Sequence, residues 1–403
     1  MKTKNLRLMS IVLVVILVLS LAACGSGTIA DIYGIGKDKD TPAEDIDPAE
    51  LMAIPPIYDA AMDFTEGLAA VCLDGKWGFI DKTGEEVIPP IYEFVYYFTE
   101  GLAMAKLDGK CGYIDKTGAE VLPFVYSAAA PFFDGVAMVR MQEAEASGPL
   151  LQFIDKTGTI FTPEYYSATN FTEGLSVVQH GMMNFVVIDT AGNELIYLSH
   201  DLPNRTAEPF YDGLALVHKG LDYEGFMDKT GNMVITFDDP NSIDWANDFH
   251  DGLALIEYKD DTNVYIDTTG KEVISISDAS FMNFSEGLAQ ATIYENGYQD
   301  GYIDKTGTLV IDQIYDWGHD FHEGFAAVVL DSKLGFINTE GEEVVPLVFD
   351  FINWMEDYSI DELDELEGTE KEIVLHDFLV SEGMSAVMVG DKWGFIDMAA
   401  FAE

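Results

Sequence analysis

Basic residues are scarce in this 403-residue sequence. Only 21 Lys and Arg stand against 71 Asp and Glu, which gives a formal net charge of −50 at pH 7. A surface with this charge repels phosphate backbones, so nucleic-acid binding is excluded as a function. The same repulsion acts against anionic headgroups, unless divalent cations bridge the two. We expect the acidity to serve solubility and weak binding of divalent cations.

Recognisable catalytic motifs are also missing. The sequence contains no Gly-x-Ser-x-Gly elbow, no phosphate-binding P-loop and no His-Glu-x-x-His motif. Carboxylates are too numerous for one pair to stand out as the acid and base of a glycosidase. We therefore predict a protein that is not an enzyme and holds no cofactor and no metal ion.

Cysteine is rare, and one of the three residues follows a leader. Three basic residues among the first seven precede an apolar run at residues 11–19, which is short for a membrane span. Residues 21–24, Leu-Ala-Ala-Cys, resemble a bacterial lipobox, whose cysteine is acylated and becomes the mature N-terminus. We predict a signal peptide at residues 1–23, a lipid on Cys24, and a location on the extracytoplasmic face of the cell membrane. Residues 24–50, rich in Gly, Pro and acid, are predicted to form a flexible tether.

The remainder of the chain repeats one small unit. Residues 64–88 read FTEGLAAVCLDGKWGFIDKTGEEVI, and a near-copy begins 34 residues later. The glycine of the (Glu/Asp)-Gly-(Leu/Val/Phe/Met)-(Ala/Ser) signature recurs nine times, at Gly67, Gly101, Gly135, Gly174, Gly213, Gly252, Gly287, Gly324 and Gly383. A second marker, the Asp or Asn that follows an apolar residue, keeps step at Asp81, Asp115, Asp155, Asp189, Asp228, Asp267, Asp304, Asn338 and Asp397. Two markers in step predict a tandem repeat over residues 51–398.

Each unit has the pattern of three or four short strands. Leu68–Leu73 is an apolar run, and Asp74-Gly75 favours a two-residue hairpin turn to a second strand at residues 77–81. The next four residues, Asp-Lys-Thr-Gly, have turn chemistry, so the recurrent aspartates are predicted to hold turns rather than metal ions. A third strand at residues 86–88 is predicted to end at Pro89-Pro90. The pattern predicts an all-β fold of antiparallel strands.

The phrases FTEGLA and GKWGFIDKTGEEVIPPIYE, in this order, resemble the WG β-repeat, formerly called the KWG repeat. The resemblance covers most of residues 54–398, and the Trp-Gly pair itself occurs at Trp77-Gly78 and Trp393-Gly394. This resemblance implies a bacterial secreted or surface protein that binds or supports other molecules rather than catalysing a reaction.

The order of strands in the array bears on whether it closes. Residues 52–58, MAIPPIY, match the end of a unit, whereas the last unit stops after its strand at residues 394–397. In a ring the early segment would complete the final unit and remove two edges. We therefore favour a propeller-like toroid slightly over an open β-solenoid.

An acidic insertion at residues 351–375 is predicted to form either a brief helix or a disordered segment.

Candidate ligand-binding residues are aromatic side chains in the connectors that lead into each signature. If they share one face, they form a platform for a peptide or a glycan; the alternative is packing between units. The candidates are Tyr58, Tyr92, Tyr126, Tyr166, Tyr315 and Trp317. Cys72 and Cys111 could form a disulfide or remain small buried apolar residues. His319 and His322 lie three apart near two acids and could hold a transition-metal ion, but we expect them to be connector residues.

These observations predict a lipid-anchored surface protein whose repeats bind an extracellular protein, peptide or glycan. A purely structural spacer of the cell envelope is the second interpretation, and an envelope hydrolase the third.

Overall fold

The computed structural model describes residues 14–15, 46–141, 150–181, 184–198, 205–294, 298–350, 352–353, 380–390 and 392–401. In these ranges the regular structure is β-strand, apart from 3₁₀ turns at Pro48–Leu51, Pro240–Ser242 and Met398–Ala400. The predicted all-β fold is confirmed. The predicted signal peptide, Cys24 and the insertion at residues 351–375 lie outside the described residues, apart from two short strands given below. The first 3₁₀ turn contains the last three residues of the predicted tether, and its residues Pro48 and Leu51 are buried.

Nine small antiparallel sheets follow one another along the chain, and we call them blades 1 to 9. Blade 1 is Ala60–Thr65, Leu68–Leu73, Lys76–Asp81 and Glu86–Tyr92; blade 2 is Phe94–Val95, Leu102–Leu107, Lys110–Asp115 and Glu120–Tyr126; blade 3 is Ala128–Ala129, Val136–Arg140 and Gln152–Asp155. Blade 4 is Ser167–Ala168, Leu175–Gln179, Phe185–Asp189 and Glu194–Tyr197; blade 5 is Arg205–Ala207, Leu214–Lys219, Asp222–Asp228 and Met233–Thr236; blade 6 is Ile243–Ala246, Leu253–Tyr258, Thr262–Asp267 and Glu272–Ser277. Blade 7 is Ala279–Phe281, Leu288–Ile293, Asp300–Asp304 and Leu309–Tyr315; blade 8 is Trp317–Gly318, Phe325–Leu330, Lys333–Asn338 and Glu343–Asp350. A separate two-residue pair joins Val14–Val15 to Ile352–Asn353.

Blade 9 is built from both ends of the array. Its second and third strands, Met384–Val389 and Lys392–Asp397, come from the C-terminal end, and its fourth strand is Ile54–Tyr58. Tyr58 lies opposite Trp393, and Ile54 lies opposite Phe395. The chain therefore has the closed topology of a nine-bladed β-propeller, and the predicted role of the early segment as the last missing strand is confirmed.

The recurrent acid-glycine pair forms the tight turn between the first and second strands of a blade. Thr99 and Leu102 form a bridge across Glu100-Gly101, with φ near +53° for Glu100 and +86° for Gly101. All nine signature glycines have φ between +77° and +88°. A positive φ at both central residues is typical of the two-residue turn whose backbone twist matches that of the two strands of a β-hairpin. The repeat marker thus sits at one equivalent backbone position in every blade.

Aromatic rings form much of the packing between consecutive blades. The ring of Phe64, which precedes the turn of blade 1, lies 4.9 Å from the ring of Phe395 in blade 9, edge to face. The same contact joins Phe153 to Phe171, Phe226 to Phe249 and Tyr265 to Phe284, and a tilted contact joins Tyr113 to Phe132, all at 4.7–4.9 Å. The residue before the turn is at most 3% exposed in all nine blades. Fully buried rings in edge-to-face contact are a favourable core arrangement.

The fourth strand does not end at the proline pair, so that prediction is wrong. Glu86–Tyr92 runs through Pro89 and Pro90, with a bulge in which three residues lie opposite one. Trp77 pairs with Tyr92 and Phe79 with Ile88, so Gly78 alone faces residues 89–91. Pro89 is compatible with the strand because its missing N–H falls within the bulge of an outer strand. Blades 2, 8 and 9 repeat this bulge, each beginning with a proline, at Pro123, Pro346 and Pro55.

The bulge explains the glycine that follows the tryptophan position. A Cβ on Gly78 would lie 2.4 Å from the carbonyl oxygen of Ile88, and one on Gly394 would lie 2.5 Å from that of Ile54. Blades 4 and 6 carry Val186 and Val264 at this position, and their fourth strands pair there in regular register. Glycine is therefore required where the outer strand bulges toward its neighbour.

The chain divides into two compact units, residues 1–97 with 315–403, and residues 98–314. The first contains blades 1, 8 and 9, and the second contains the second to fourth strands of blade 2 together with blades 3 to 7. No helix among the described residues has the length and apolar character needed to cross a membrane.

Candidate functional site

At seven of the nine signature turns, the acid holds the turn of the following blade. The carboxylate of Glu100 accepts a hydrogen bond from the backbone N–H of Gly135, at 3.1 Å to both oxygens. The same bond joins Asp134 to Gly174, Glu173 to Gly213, Asp212 to Gly252, Asp251 to Gly287, Glu323 to Gly383 and Glu382 to Gly67. The last two bonds lie within the unit that contains the chain closure. These seven acids are therefore structural.

A lysine adds a second contact to four of these acids. Lys156 Nζ lies 2.9 Å from the carboxylate of Glu100 and donates a hydrogen bond to its backbone oxygen at 2.8 Å. The equivalent pairs are Lys82 with Glu382, Lys229 with Glu173 and Lys305 with Asp251. Each lysine comes from the Asp-Lys-Thr-Gly turn of the next blade. Four of the few basic side chains of this acidic chain thus form contacts between blades.

The aspartates of the second marker hold their own turns, as predicted. Asp81 Oδ1 accepts hydrogen bonds from Thr83 Oγ1 at 2.6 Å, from Thr83 N at 2.9 Å and from Glu85 N at 3.0 Å. The hydrogen bond from the Thr83 hydroxyl is the largest cause that lowers the pKa of Asp81. The pattern recurs at Asp115, Asp155, Asp228, Asp267 and Asp304. Local turn geometry therefore accounts for these residues.

Exposed apolar side chains form a row on the outer strands. In blade 1, Val87 and Ile91 are 38% and 50% exposed, and Pro89 between them is also exposed. We call Val87, Pro89 and Ile91, with their counterparts in other blades, the outer rows. The counterparts are Pro55 and Ile57; Val121, Pro123 and Val125; Leu195 and Tyr197; Val234; Val273; Val310 and Ile314. Exposed glutamates stand at the start of several of these strands, at Glu86, Glu120, Glu194 and Glu272.

The connector aromatics do not form a shared platform. Tyr58, Tyr92, Tyr126 and Tyr315 are at most 7% exposed and pack inside the blades. Trp317 is partly buried, and Tyr166 is 50% exposed. By register, Tyr165 rather than Tyr166 is the counterpart of the four buried tyrosines, since it pairs with Leu151 and is fully buried. The structure brings none of the six candidates into one exposed cluster.

One group of titratable side chains lies between blades 5 and 6. His218 Nε2 is 3.1 Å from Glu208 Oε1, and Asp248 follows the first strand of blade 6. Asp248 Oδ1 is buried and has no hydrogen-bond partner in the described part of the chain. Burial is the main cause that raises the pKa of Asp248 to about 7, the negative charge of Glu208 adds to the rise, and His218 opposes it. Two tyrosines adjoin the group: burial, Asp248 and Glu208 raise the pKa of Tyr211, and burial is the main cause that raises the pKa of Tyr223, whose ring lies 5.0 Å from that of His218.

The other candidates form no site. Cys72 and Cys111 are both free and buried, so the disulfide alternative is wrong and the apolar alternative holds. His322 Nδ1 hydrogen-bonds the backbone oxygen of Val380. Among the described residues, no group of three or more His, Cys, Asp or Glu side chains is placed to hold a metal ion.

A family model with the description "WG containing repeat" matches eight segments of the chain. They are residues 46–77, 77–111, 112–143, 153–181, 225–261, 265–296, 301–333 and 335–359, which together make up more than half of the sequence. The chain belongs to the WG repeat family. No protein with a curated description matches the sequence.

Solved structures resemble this WG repeat protein only distantly. A computationally designed protein, Ika8, is 16% identical, with 72% of this chain and 99% of that chain covered, and a TM-score of 0.42. A eukaryotic initiation factor is 10% identical, with 74% and 89% covered and a TM-score of 0.47. BamB from Moraxella catarrhalis is 12% identical, with 61% and 79% covered and a TM-score of 0.33. No inference about function follows from similarities at this level.

The tryptophan position of the WG repeat is an interior position in most blades. Its occupants are at most 6% exposed at Trp77, Cys111, Asn263, Asp300, Leu334 and Trp393. The polar occupants are satisfied locally: Asn263 Nδ2 donates to the Ala279 oxygen at 2.7 Å, and Asp300 accepts from Thr292 Oγ1. The position therefore serves packing within the WG repeat.

The exposed outer rows are not among the ligand-binding candidates predicted from the sequence, because those candidates are all aromatic residues in the connectors. The signal was present as Val-x-Pro-x-(Ile/Val), at residues 87–91 and 121–125.

Proposed function

We propose that this WG repeat protein is a surface lipoprotein whose propeller is a non-catalytic scaffold that binds an extracytoplasmic polypeptide. The observation that carries the proposal is the set of outer rows. Solvent-facing positions of an outer strand are normally polar, whereas Val87, Pro89 and Ile91 give blade 1 an apolar stripe. Exposed apolar stripes of this kind are typical of protein interaction surfaces.

The charge of the surface defines the partner further. The outer rows are flanked by exposed acids such as Glu86 and Glu120, and the chain carries a net charge of −50. A partner with apolar side chains and lysine or arginine residues is complementary to both features. Buried connector tyrosines remove the aromatic platform that would have favoured a glycan. A polypeptide is therefore the better-supported partner.

The proposed lipid anchor is supported by the lipobox-like sequence at residues 21–24. Acylation of Cys24 would hold the mature protein at the extracytoplasmic face of the cell membrane, because multiple acyl chains give durable membrane binding. A Cys24→Ser variant is expected to move from the membrane fraction to the soluble fraction when cells are fractionated. A Cys72→Ser variant, which alters a buried cysteine of blade 1, is the control and should stay with the membrane. Membrane retention of the Cys24→Ser variant would argue against the lipid anchor.

The binding surface is tested by making two outer rows polar. The variant Val87→Thr, Ile91→Thr, Val121→Thr, Val125→Thr keeps the strand-forming β-branched shape but removes apolar surface. We expect it to capture at least tenfold less of any partner that the unaltered protein captures from envelope extract, with or without calcium. Leu221→Ser is the matched control, because Leu221 is 99% exposed but lies outside the outer rows. Equal capture by all three proteins would contradict the proposal.

A structural spacer of the envelope is the second candidate function. The buried connector tyrosines favour it, since they pack the blades rather than face a ligand. The spacer function predicts no specific capture by the unaltered protein, so the same experiment separates the two.

A further inference from the structure

Outer strands end a sheet, and their free backbone groups can pair with another strand unless something prevents it. Blades 1, 2, 8 and 9 are protected by a proline at the start of a bulge, at Pro89, Pro123, Pro346 and Pro55. Blade 7 has no proline at this position. Its outer strand nevertheless lies as close to Gly301 as the bulged strands lie to their glycines, because a Cβ on Gly301 would be 2.5 Å from the Ile311 oxygen. The outer strands of blades 4 and 5 are only four residues long.

Blade 6 lacks all of these protections. Its outer strand, Glu272–Ser277, has six residues and no proline. It pairs with Thr262–Asp267 in regular register from Ser277 to Ile274, and the one irregularity lies beside the turn. Ser275 occupies the position at which blade 1 has Pro89. This strand is the last in its sheet, so its other edge has no neighbouring strand in that sheet.

The hydrogen-bond pattern shows which backbone groups face outward. Asp278 N donates to Asp261 O, which makes these two residues a hydrogen-bonded pair. Because such pairs alternate along an antiparallel ladder, Ile276 and Ile274 also bond inward, toward Asn263 and Tyr265. On the second strand, Leu255 O accepts from Asn247 N of the first strand, which gives the same alternation. The N–H and C=O groups of Ser275 and Ser277 therefore point away from the sheet, whereas Val273 lies at the register shift beside the turn, where the alternation is broken.

The inner side of the strand is firmly held. Ile274 is 5% exposed and packs in the cluster that contains Phe281 and Phe284. A Cβ on Gly307, in the turn of blade 7, would lie 2.9 Å from Ile274 Cγ2, so that turn covers the residue closely. The strand that carries this edge is therefore already ordered in the free protein, so a partner strand does not have to offset the entropy cost of ordering it.

We propose that the outer edge of blade 6 accepts an extended segment of a partner polypeptide as a fifth strand. The inference rests on the proposed function and names the mode of recognition. Main-chain hydrogen bonds to Ser275 and Ser277 provide affinity, as in other cases of strand addition. A lysine opposite Glu272 and a β-branched residue opposite Val273 match the exposed side chains. A second copy of this chain fits poorly, because antiparallel pairing about Ser275 places Glu272 opposite Asp278.

The test uses the full chain and a synthetic nonapeptide of alternating valine and lysine residues. Fluorescence anisotropy should show binding to the unaltered protein and to Ser275→Ala, which keeps the backbone N–H. Ser275→Pro removes an outward donor, and proline is tolerated at such edge positions, so the variant is expected to fold and to bind at least tenfold more weakly. A far-UV circular dichroism spectrum checks its folding.

Amide hydrogen exchange supplies a readout that does not depend on the variant. The amides of Ser275 and Ser277 should exchange fast in the free protein and become protected when the nonapeptide is added. Equal binding by Ser275→Pro and the unaltered protein, or peptide binding without protection of these two amides, would overturn the proposal. So would no peptide binding, or protection that rises with protein concentration alone and thereby identifies a second copy as the occupant. The proposed function is tested separately, by the outer rows of blades 1 and 2.

Discussion

Replacing Gly78 with alanine is expected to lower the free energy of unfolding by about 3 kcal/mol, the upper part of the range for overpacked interiors. The added Cβ would lie 2.4 Å from the Ile88 oxygen and 2.7 Å from the Pro90 nitrogen, and both are backbone atoms that cannot move without opening the bulge. Urea-induced unfolding followed by tryptophan fluorescence measures the loss.

Gly67→Ala is the matched control for this prediction. Gly67 has φ near +88° but nothing within 4 Å of an added Cβ, so the substitution strains only the backbone. We expect it to cost about 1–2 kcal/mol. If Gly78→Ala costs no more than Gly67→Ala, then the bulged outer strand does not explain why glycine follows the tryptophan.

Replacing Asp248 with asparagine is expected to stabilise the protein above pH 7. The pKa of Asp248 is raised from 3.8 to about 7 in the folded state, mainly by burial, with Glu208 adding to the rise and His218 opposing it. Between about pH 4 and pH 7 the folded state keeps a proton that the unfolded state has released, so stability falls as the pH rises through this window. At 1.36 kcal/mol per pKa unit, the loss above pH 7 is on the order of 4 kcal/mol.

Urea-induced unfolding between pH 4 and pH 8 measures this effect. The Asp248→Asn variant should show a flatter profile than the unaltered protein, and the two should converge near pH 4. Asp244→Asn, which alters an exposed aspartate of the same blade, should follow the unaltered profile. Parallel profiles for the unaltered protein and Asp248→Asn would show that Asp248 is not held protonated in the folded state.

Local chemistry was enough to predict the turns and the closure. Asp74-Gly75 adopts positive φ at both residues, as its composition indicates, and Asp81 bonds its own turn. The early segment was recognised as a final strand because it repeats the end of a unit. These features depend on residues that are adjacent in sequence or on the repeat itself.

Features that depend on a neighbouring strand or blade were not predictable in the same way. Pro89 and Pro90 indicate a strand end by their sequence, which does not show that Gly78 leaves room for a bulge. The carboxylate of Glu100 serves a glycine 35 residues away, in the next blade. The raised pKa of Asp248 comes first from its burial and then from Glu208 and His218 of blade 5. Sequence pattern places each residue on a strand, but its partners follow only from how the blades pack.

The way blade 9 is assembled has a consequence for biosynthesis. Its fourth strand, Ile54–Tyr58, leaves the ribosome more than 300 residues before its partner, Lys392–Asp397. Bringing such distant segments together costs roughly 5 kcal/mol of chain entropy, a cost met only when the last strands are available. A polypeptide that stops before residue 384 keeps the early strand without its partner. Blade 9 can therefore form only in a chain that extends at least through residue 397.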